Sequence, residues 1–326
     1  MTTVHPKASV DLGGTWLRIR TGSELTKLAA PSVLNRPGAQ PAELIDDLLD
    51  TLCTAIPEGA VVTMSCGAAM DEQYGIVHGS GPLWGGELTE PLQLAGLLRQ
   101  RRPDAAWQVI NDVTAGLASF VERFSRPDDR RVAYFTISSG IAVRIADLTE
   151  RSVPVDAHGM QGEVGHLPAV SSAAEIVREL PCPCGGSGHV AAVSAGPALP
   201  RLAEALGVAG APVLRSELSA RVLAGDTLAQ RVLTLVVEPI AELIRSLRCF
   251  DPRIDLFGLG GGYVEGLGSV YRDELARQLG IARSYADAGY GAQWFGDHVR
   301  VCRPGDIDSL DGAAAMAQGT LTVTKH

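Results

Sequence analysis

A chain of 326 residues, 46% of them hydrophobic, is long enough to bury a sizeable core and to form two lobes. Its formal charge of −9 and pI near 5.3 argue against a nucleic-acid surface, which needs a basic stripe. No apolar run is long enough to span a bilayer and Met1 to Ala8 lacks the core of a signal peptide, while Cys53, Cys66, Cys249 and Cys302 follow no disulfide framework; a reduced, cytoplasmic protein is expected.

From the start of the chain, Ala8 to Asp11 and Trp16 to Arg20 read as two short strands around Asp11-Leu12-Gly13-Gly14-Thr15. Gly13 and Gly14 have no side chains, so their amides can approach phosphate oxygens; Thr15 adds a hydroxyl, and Asp11 can hold a water on Mg²⁺. An ordinary glycine hairpin has the same sequence signature. Pro41 to Ile56 reads as an amphipathic helix with Leu44, Ile45, Leu48, Leu49 and Leu52 on one face, and Ala60 to Met64 as a buried strand. Trp84, in Gly81-Pro82-Leu83-Trp84, is either a rim residue or a core aromatic.

The strand Trp107 to Ile110 runs into Asn111-Asp112. Val113, Leu117, Phe120, Val121 and Phe124 then form a helical stripe that starts at Asp112 and ends before Pro127. A carboxylate at a helix N-terminus is favoured in its ionised form and suits a general base, although Asp is also a preferred N-cap. Val132 to Ile137 and Ile141 to Ala146 repeat the strand–turn–strand pattern around Ser138-Ser139-Gly140.

His166, Cys182, Cys184 and His189 offer four ligands, the number a closed tetrahedral zinc site needs, and Gly185 to Gly188 lets the chain fold back between them. The competing reading is two unrelated buried cysteines beside two surface histidines. Ala173 to Leu180 reads as a helical turn or two. Leu228 to Phe250 reads as a long apolar helix kinked at Pro239, and Ile254 to Phe257 as a strand entering Gly258-Leu259-Gly260-Gly261-Gly262. Asp311 to Leu321 reads as a closing helix.

In this order, Asp11-Leu12-Gly13-Gly14-Thr15, Ile110-Asn111-Asp112, Gly162-Glu163-Val164-Gly165-His166 with Cys182-Pro183-Cys184-Gly185, and Phe250-Asp251-Pro252 with the later glycine turn resemble the motifs of the ROK family of repressors, open reading frames and kinases. The resemblance implies an α/β, two-lobed actin-like ATPase (ribonuclease H-like) fold with a zinc-bound loop. A small lobe would cover 1–115, closed by a C-terminal helix at 308–326, and a large lobe 116–307. It implies an ATP-dependent kinase that phosphorylates a primary hydroxyl of a sugar or sugar-like polyol, in the manner of a hexose 6-kinase. Asp112 would be the base, and Gly67, Asn111, Asp112, Glu163 and His166 would bind the acceptor. Asp11, Gly13, Gly14, Thr15, Ser138, Ser139, Gly140, Gly260, Gly261 and Gly262 would hold ATP with Mg²⁺, and Zn²⁺ would sit on His166, Cys182, Cys184 and His189. A homodimer without nucleic-acid or membrane partners is implied.

This chain also departs from the family pattern. His189 stands where a third cysteine is usual, Ala191 where a sugar-contacting glutamate is usual, and the span from His166 to Cys182 is longer than the family habit. The second phosphate loop, Ser138-Ser139-Gly140-Ile141-Ala142-Val143-Arg144, has lost glycines and gained an unexpected arginine. The missing glutamate raises a C7-cyclitol 7-kinase as the alternative, and the altered loop raises a catalytically silent sugar sensor. A repressor would need a DNA-binding helix-turn-helix before the first strand, which begins at Ala8.

Overall fold

The structure, a computed structural model, describes residues 5–208, 214–283, 285 and 291–325. Two compact units make up the chain: unit 1 is Met1–Ser125, Arg144–Gln161 and Ile307–His326, and unit 2 is Arg126–Val143 and Gly162–Asp306.

In unit 1, β1 (Lys7–Leu12), β2 (Trp16–Thr21), β3 (Glu24–Ala29) and β4 (Val61–Cys66) precede a small three-stranded sheet. That sheet is β5 (Ala69–Asp71), β6 (Ile76–Ser80) and β7 (Gly86–Leu92), and β8 (Ala106–Asn111) follows it. The main sheet runs β3-β2-β1-β4-β8, with β1 antiparallel to β2 and parallel to β4, and β4 parallel to β8. The strands alternate, with Ser9, Asp11, Thr63 and Ser65 between the apolar positions: Val10, Leu12, Val62, Met64 and Val109 are buried in one core with Leu44, Leu48, Leu49 and Leu52 of the helix Pro41–Ala55. Each such side chain contributes about 1.5–3 kcal/mol on burial.

The helix Asp112–Phe124 packs on the helix Ser309–Ala317. A Cβ on Gly312 would lie 1.7 Å from the Ala115 carbonyl oxygen, so only glycine allows this crossing. The close packing keeps residues 116–125, assigned to the second lobe from sequence, within unit 1. The closing helix is also shorter than its sequence suggested, because the chain turns at Gly319, with φ +79°, into a strand.

The second half carries β9 (Arg131–Ile137), β10 (Ile141–Asp147), β11 (Ser152–Val155), β12 (Ile254–Gly260), β13 (Val299–Val301) and β14 (Thr322–Lys325). In unit 2 the hairpin β9–β10 has β12 on the other side of β9, parallel to it, as β4 stands to the β1–β2 hairpin in unit 1; β13 is parallel to β12. The strand–turn–strand repeat seen faintly in sequence is therefore a repeat of topology. The chain passes into unit 1 after Val143, within β10, and there β11 pairs in parallel with β14.

The long helix Thr227–Phe250 starts at Asp226, whose carboxylate accepts from the amides of Leu228 and Ala229, and contains Pro239. Ser194, on the short helix Val190–Ser194, donates to the Val236 carbonyl at 2.7 Å, fastening that helix one turn before the proline. Among the described residues no helix is long and apolar enough to cross a membrane.

Candidate functional site

The first hairpin of unit 1 is closed by the Gly13 amide on the Trp16 carbonyl at 3.0 Å. Gly13 faces open space beyond it, whereas a Cβ on Gly14 would meet Pro82 at 2.6 Å and Leu34 at 2.9 Å. Gly14 is thus demanded by packing, whereas Gly13 has room beside it but spends its amide on the hairpin. Thr15 accepts on its carbonyl from Asn35 Nδ2 at 2.9 Å. Asp11 is held on both oxygens: Arg18 Nη2 donates to Oδ2 at 2.7 Å and Ser65 Oγ to Oδ1 at 3.1 Å. Arg18 also donates to Asp308 at 2.9 Å.

Asn111 and Asp112 stand where β8 becomes a helix. The cap is Asn111, not Asp112: Asn111 Oδ1 accepts from the Val113 amide at 2.9 Å, and Nδ2 donates to the Ala68 carbonyl at 2.8 Å. Asp112 is the first residue of the helix, so its carboxylate is not spent on capping. A Cβ on Gly67 would come 3.4 Å from Asp112 Oδ2, which puts these two residues side by side. Burial, and then the charge of Asp11, pushes the Asp112 carboxyl up to about 7; Arg144 and the Val113 amide pull the other way. Trp84 is a core aromatic, buried on the short helix Gly81–Trp84.

In unit 2 the turn Ser138–Gly140 is closed by the Ser138 amide on the Gly140 carbonyl at 2.9 Å, and the Ser138 carbonyl accepts from the Gly196 amide at 2.9 Å. The second glycine turn lies against it. Gly261 has φ +104°, and a Cβ there would lie 2.7 Å from the Ile137 carbonyl oxygen; a Cβ on Gly260 would lie 2.4 Å from the Tyr134 hydroxyl. Gly262 would approach Ser138 Oγ at 4.0 Å. The Gly261 amide is taken by the Glu265 carboxylate at 2.8 Å, a partner with no signal in the local sequence.

Glu163 precedes the single helical turn Val164–His166. Gly165 is forced by contact on two sides, since a Cβ would meet the Ile141 carbonyl oxygen at 2.5 Å and the Ala191 methyl at 3.4 Å. Ala191 is thereby seated directly beside the Glu163–His166 segment, where it is buried.

The four ligand atoms of His166, Cys182, Cys184 and His189 lie within 4.8 Å of one another. Cys182 Sγ is 3.7 Å from His166 Nδ1, and Cys184 Sγ is 3.3 Å from His189 Nδ1. A tetrahedral zinc with the usual Zn–S and Zn–N bond lengths separates its sulfur and nitrogen ligands by about 3.6 Å, so the two pairs bracket the spacing required. The loop is built for this closure. The Cys182 amide donates to the Gly186 carbonyl at 2.8 Å, Gly185 and Gly188 have φ +91° and +68°, and a Cβ on Gly186 would lie 2.6 Å from the His189 ring. The segment before it forms the short helix Ala174–Glu179.

Two buried residues beside Asn111 escaped the sequence reading in part. Glu72 accepts the Asn111 amide at 3.0 Å and pairs with Arg144. A lone arginine inside the apolar strand Ile141-Ala142-Val143-Arg144-Ile145-Ala146 is a signal of an internal partner; Asp71-Glu72-Gln73 reads as a surface turn and gives none.

The ROK family model matches residues 7–319. A 2-epi-5-epi-valiolone 7-kinase of Actinoplanes sp. is 37% identical over 97% of this chain and 94% of its own. A C(7)-cyclitol 7-kinase of Streptomyces hygroscopicus subsp. jinggangensis is 30% identical over 82% of each. The mixed α/β fold matches that of a ROK hexokinase from Thermus thermophilus, with TM-score 0.69 and 19% identity over 95% of this chain and 97% of that one. It also matches a ROK family glucokinase from Streptomyces griseus in complex with glucose and AMPPNP, with TM-score 0.66 and 18% identity over 96% and 99%.

Proposed function

The chain belongs to the ROK family, and on that premise we propose that it is a kinase transferring the γ-phosphate of ATP to the primary hydroxyl of a C7-cyclitol. Phosphoryl transfer to an alcohol follows from the named relatives as a group; the cyclitol acceptor is carried by one observation in this chain, Ala191 packed against Gly165. In the family pattern a glutamate at this place contacts the sugar. A methyl group here offers no acceptor for a hydroxyl and leaves room beside Glu163 and His166, which suits a carbocycle lacking the anomeric centre of a hexose.

In the proposed reaction Asp112 takes the proton of the acceptor's primary hydroxyl as that oxygen attacks the γ-phosphorus, and the bond to the β–γ bridging oxygen breaks to leave ADP. Gly67, Asn111, Glu163 and His166 would hold the acceptor. The segments Gly13, Gly14, Thr15, Ser138, Ser139, Gly140 and 260–262 would hold the nucleotide; the amides of Gly13, Ser138 and Gly261 are taken within the fold, so the exposed Thr15, Ser139 and Gly140 would make the chief contacts. Mg²⁺ would neutralise phosphate charge. Asp11, with one oxygen already held by Arg18, suits a hydrogen bond from a metal-bound water better than direct ligation. Zn²⁺ on His166, Cys182, Cys184 and His189 would be structural, fixing His166 through Nδ1 and leaving its other ring nitrogen for the acceptor.

Steady-state kinetics on 2-epi-5-epi-valiolone, glucose, mannose and an N-acetylated hexose test this reading. The cyclitol should have the highest kcat/KM; a glucose value above all the others would return the chain to an ordinary glucokinase.

A further inference from the structure

Arg144 and Glu72 are the most deeply buried ion pair among the described residues, with side chains 3% and 1% exposed. Arg144 donates from Nε and Nη2 to Glu72 Oε1, both at 3.3 Å, and from Nη1 to the Gln161 carbonyl. The same Oε1 accepts from Thr114 Oγ1 at 3.0 Å, and Oε2 accepts from the Asn111 amide at 3.0 Å. One carboxylate therefore ties β10 to the first turn of the helix that Asp112 begins. Stability alone is a poor reason for such a pair, since well-packed apolar residues in its place are often neutral or better.

The charges around Asp112 supply another reason. Asp11 on β1 faces it, itself paired with Arg18 of β2, which also holds Asp308 at the start of the helix Ser309–Ala317. Cys66, at the end of β4, stays a neutral thiol because burial and the two aspartates push its pKa up. Glu72 adds a further negative charge. Of the two cations in this group, Arg18 is committed to Asp11 and Asp308, and Arg144 is the one that favours a charged Asp112.

We propose that Glu72 and Arg144 are positioning residues for phosphoryl transfer: Glu72 fixes the Asn111–Asp112 turn, and Arg144 supplies the charge that keeps Asp112 able to accept a proton. This rests on Asp112 being the base. The arginine that looks out of place in the second phosphate loop thus serves the catalytic turn of unit 1.

The signs of two substitutions separate this from a structural role. Arg144→Met removes the cation and leaves Glu72 facing Asp112, so the acid limb of kcat/KM should move up by on the order of one pH unit. Glu72→Gln leaves the cation without its partner, so the limb should move down. The double variant Glu72→Gln with Arg144→Met should return it towards the wild-type position. The profile would be taken with 2-epi-5-epi-valiolone and saturating MgATP from about pH 5.5 to 9.5. The position of the limb does not depend on a folded fraction that is constant with pH, so the profile is normalised to the folded fraction measured at each pH and a destabilised protein still reports. Arg144→Met should also recover at pH 9 most of what it loses at pH 7. If both single variants leave the limb in place, or shift it in the same direction, while Asp112→Asn abolishes turnover, the pair is structural and the proposal is wrong. If Asp112→Asn itself keeps the wild-type rate and limb, the reading of Asp112 as base fails first.

Discussion

Replacing Asp112 by Asn tests the candidate base in two independent ways. The cap of the helix is Asn111, so the substitution leaves the capping bonds in place and changes one half-buried carboxyl into an amide. Loss of a general base costs about 10²- to 10⁴-fold in rate. In the unsubstituted protein the carboxyl is pushed up to about 7, so its ionised fraction, and with it kcat/KM, should rise about tenfold between pH 6 and pH 8. An aspartate of ordinary acidity would give a flat profile there. Stability should move in the opposite sense. A carboxyl whose folded-state pKa lies above its unfolded one contributes stability that is full at low pH and lost as pH rises through about 7. Between pH 5 and pH 8 the loss is roughly 3 kcal/mol, and the Asn variant escapes it. Denaturant unfolding should therefore show the variant gaining on the wild type as pH rises, while its turnover is nearly gone. A variant that keeps more than about a tenth of wild-type turnover, or a stability difference that does not change with pH, would refute this account of Asp112.

Purified protein should carry about one zinc per chain, and Cys184→Ser should lower that content and loosen the loop at 182–189, because metal binding and local folding are coupled; elemental analysis finding no zinc in protein prepared without chelator would remove the metal. Ala191→Glu should improve the use of glucose by about one to two decades in kcat/KM, the worth of hydrogen bonds to a charged group, and should impair the cyclitol; unchanged selectivity would break the link between Ala191 and the acceptor.

The sequence revealed most where local spacing and the physical demand coincide. The four candidate ligands lie within two dozen positions, and Gly185 and Gly188 between them have the positive φ that such a return requires, so the cluster could be read without a fold. The hairpins, the helix over 112–124 and the strand entering the second glycine turn were legible from periodicity in the same way. What was hidden depended on distant partners. Glu72 and Arg144 lie 72 positions apart, and nothing local marks Asp71-Glu72-Gln73 as interior. Asn111 and Asp112 compete for one cap, and only the geometry shows that Asn111 takes it and leaves Asp112 free for chemistry. Gly13 and Gly14 look alike as phosphate-loop glycines, yet Gly14 answers to Pro82 and Leu34 while Gly13 stands open.

The altered second loop looks like decay when only its glycines are counted, but glycine is needed only where a Cβ would clash or φ is positive. A Cβ would clash at both Gly260 and Gly261, Gly261 also has positive φ, and both glycines are present. In the hairpin, Gly140 has no neighbour that a Cβ would strike, and among the described residues only Arg151 is a non-glycine with positive φ, so Ser138 and Ser139 sit without backbone strain. Serine there keeps the backbone amides of the turn and adds hydroxyl donors of its own. Three positions beyond Ile141, Arg144 turns inward to Glu72 rather than outward beside the hairpin. The serines therefore leave the turn intact and the arginine adds a charge inside unit 1, so nothing in this loop conflicts with the proposed phosphoryl transfer.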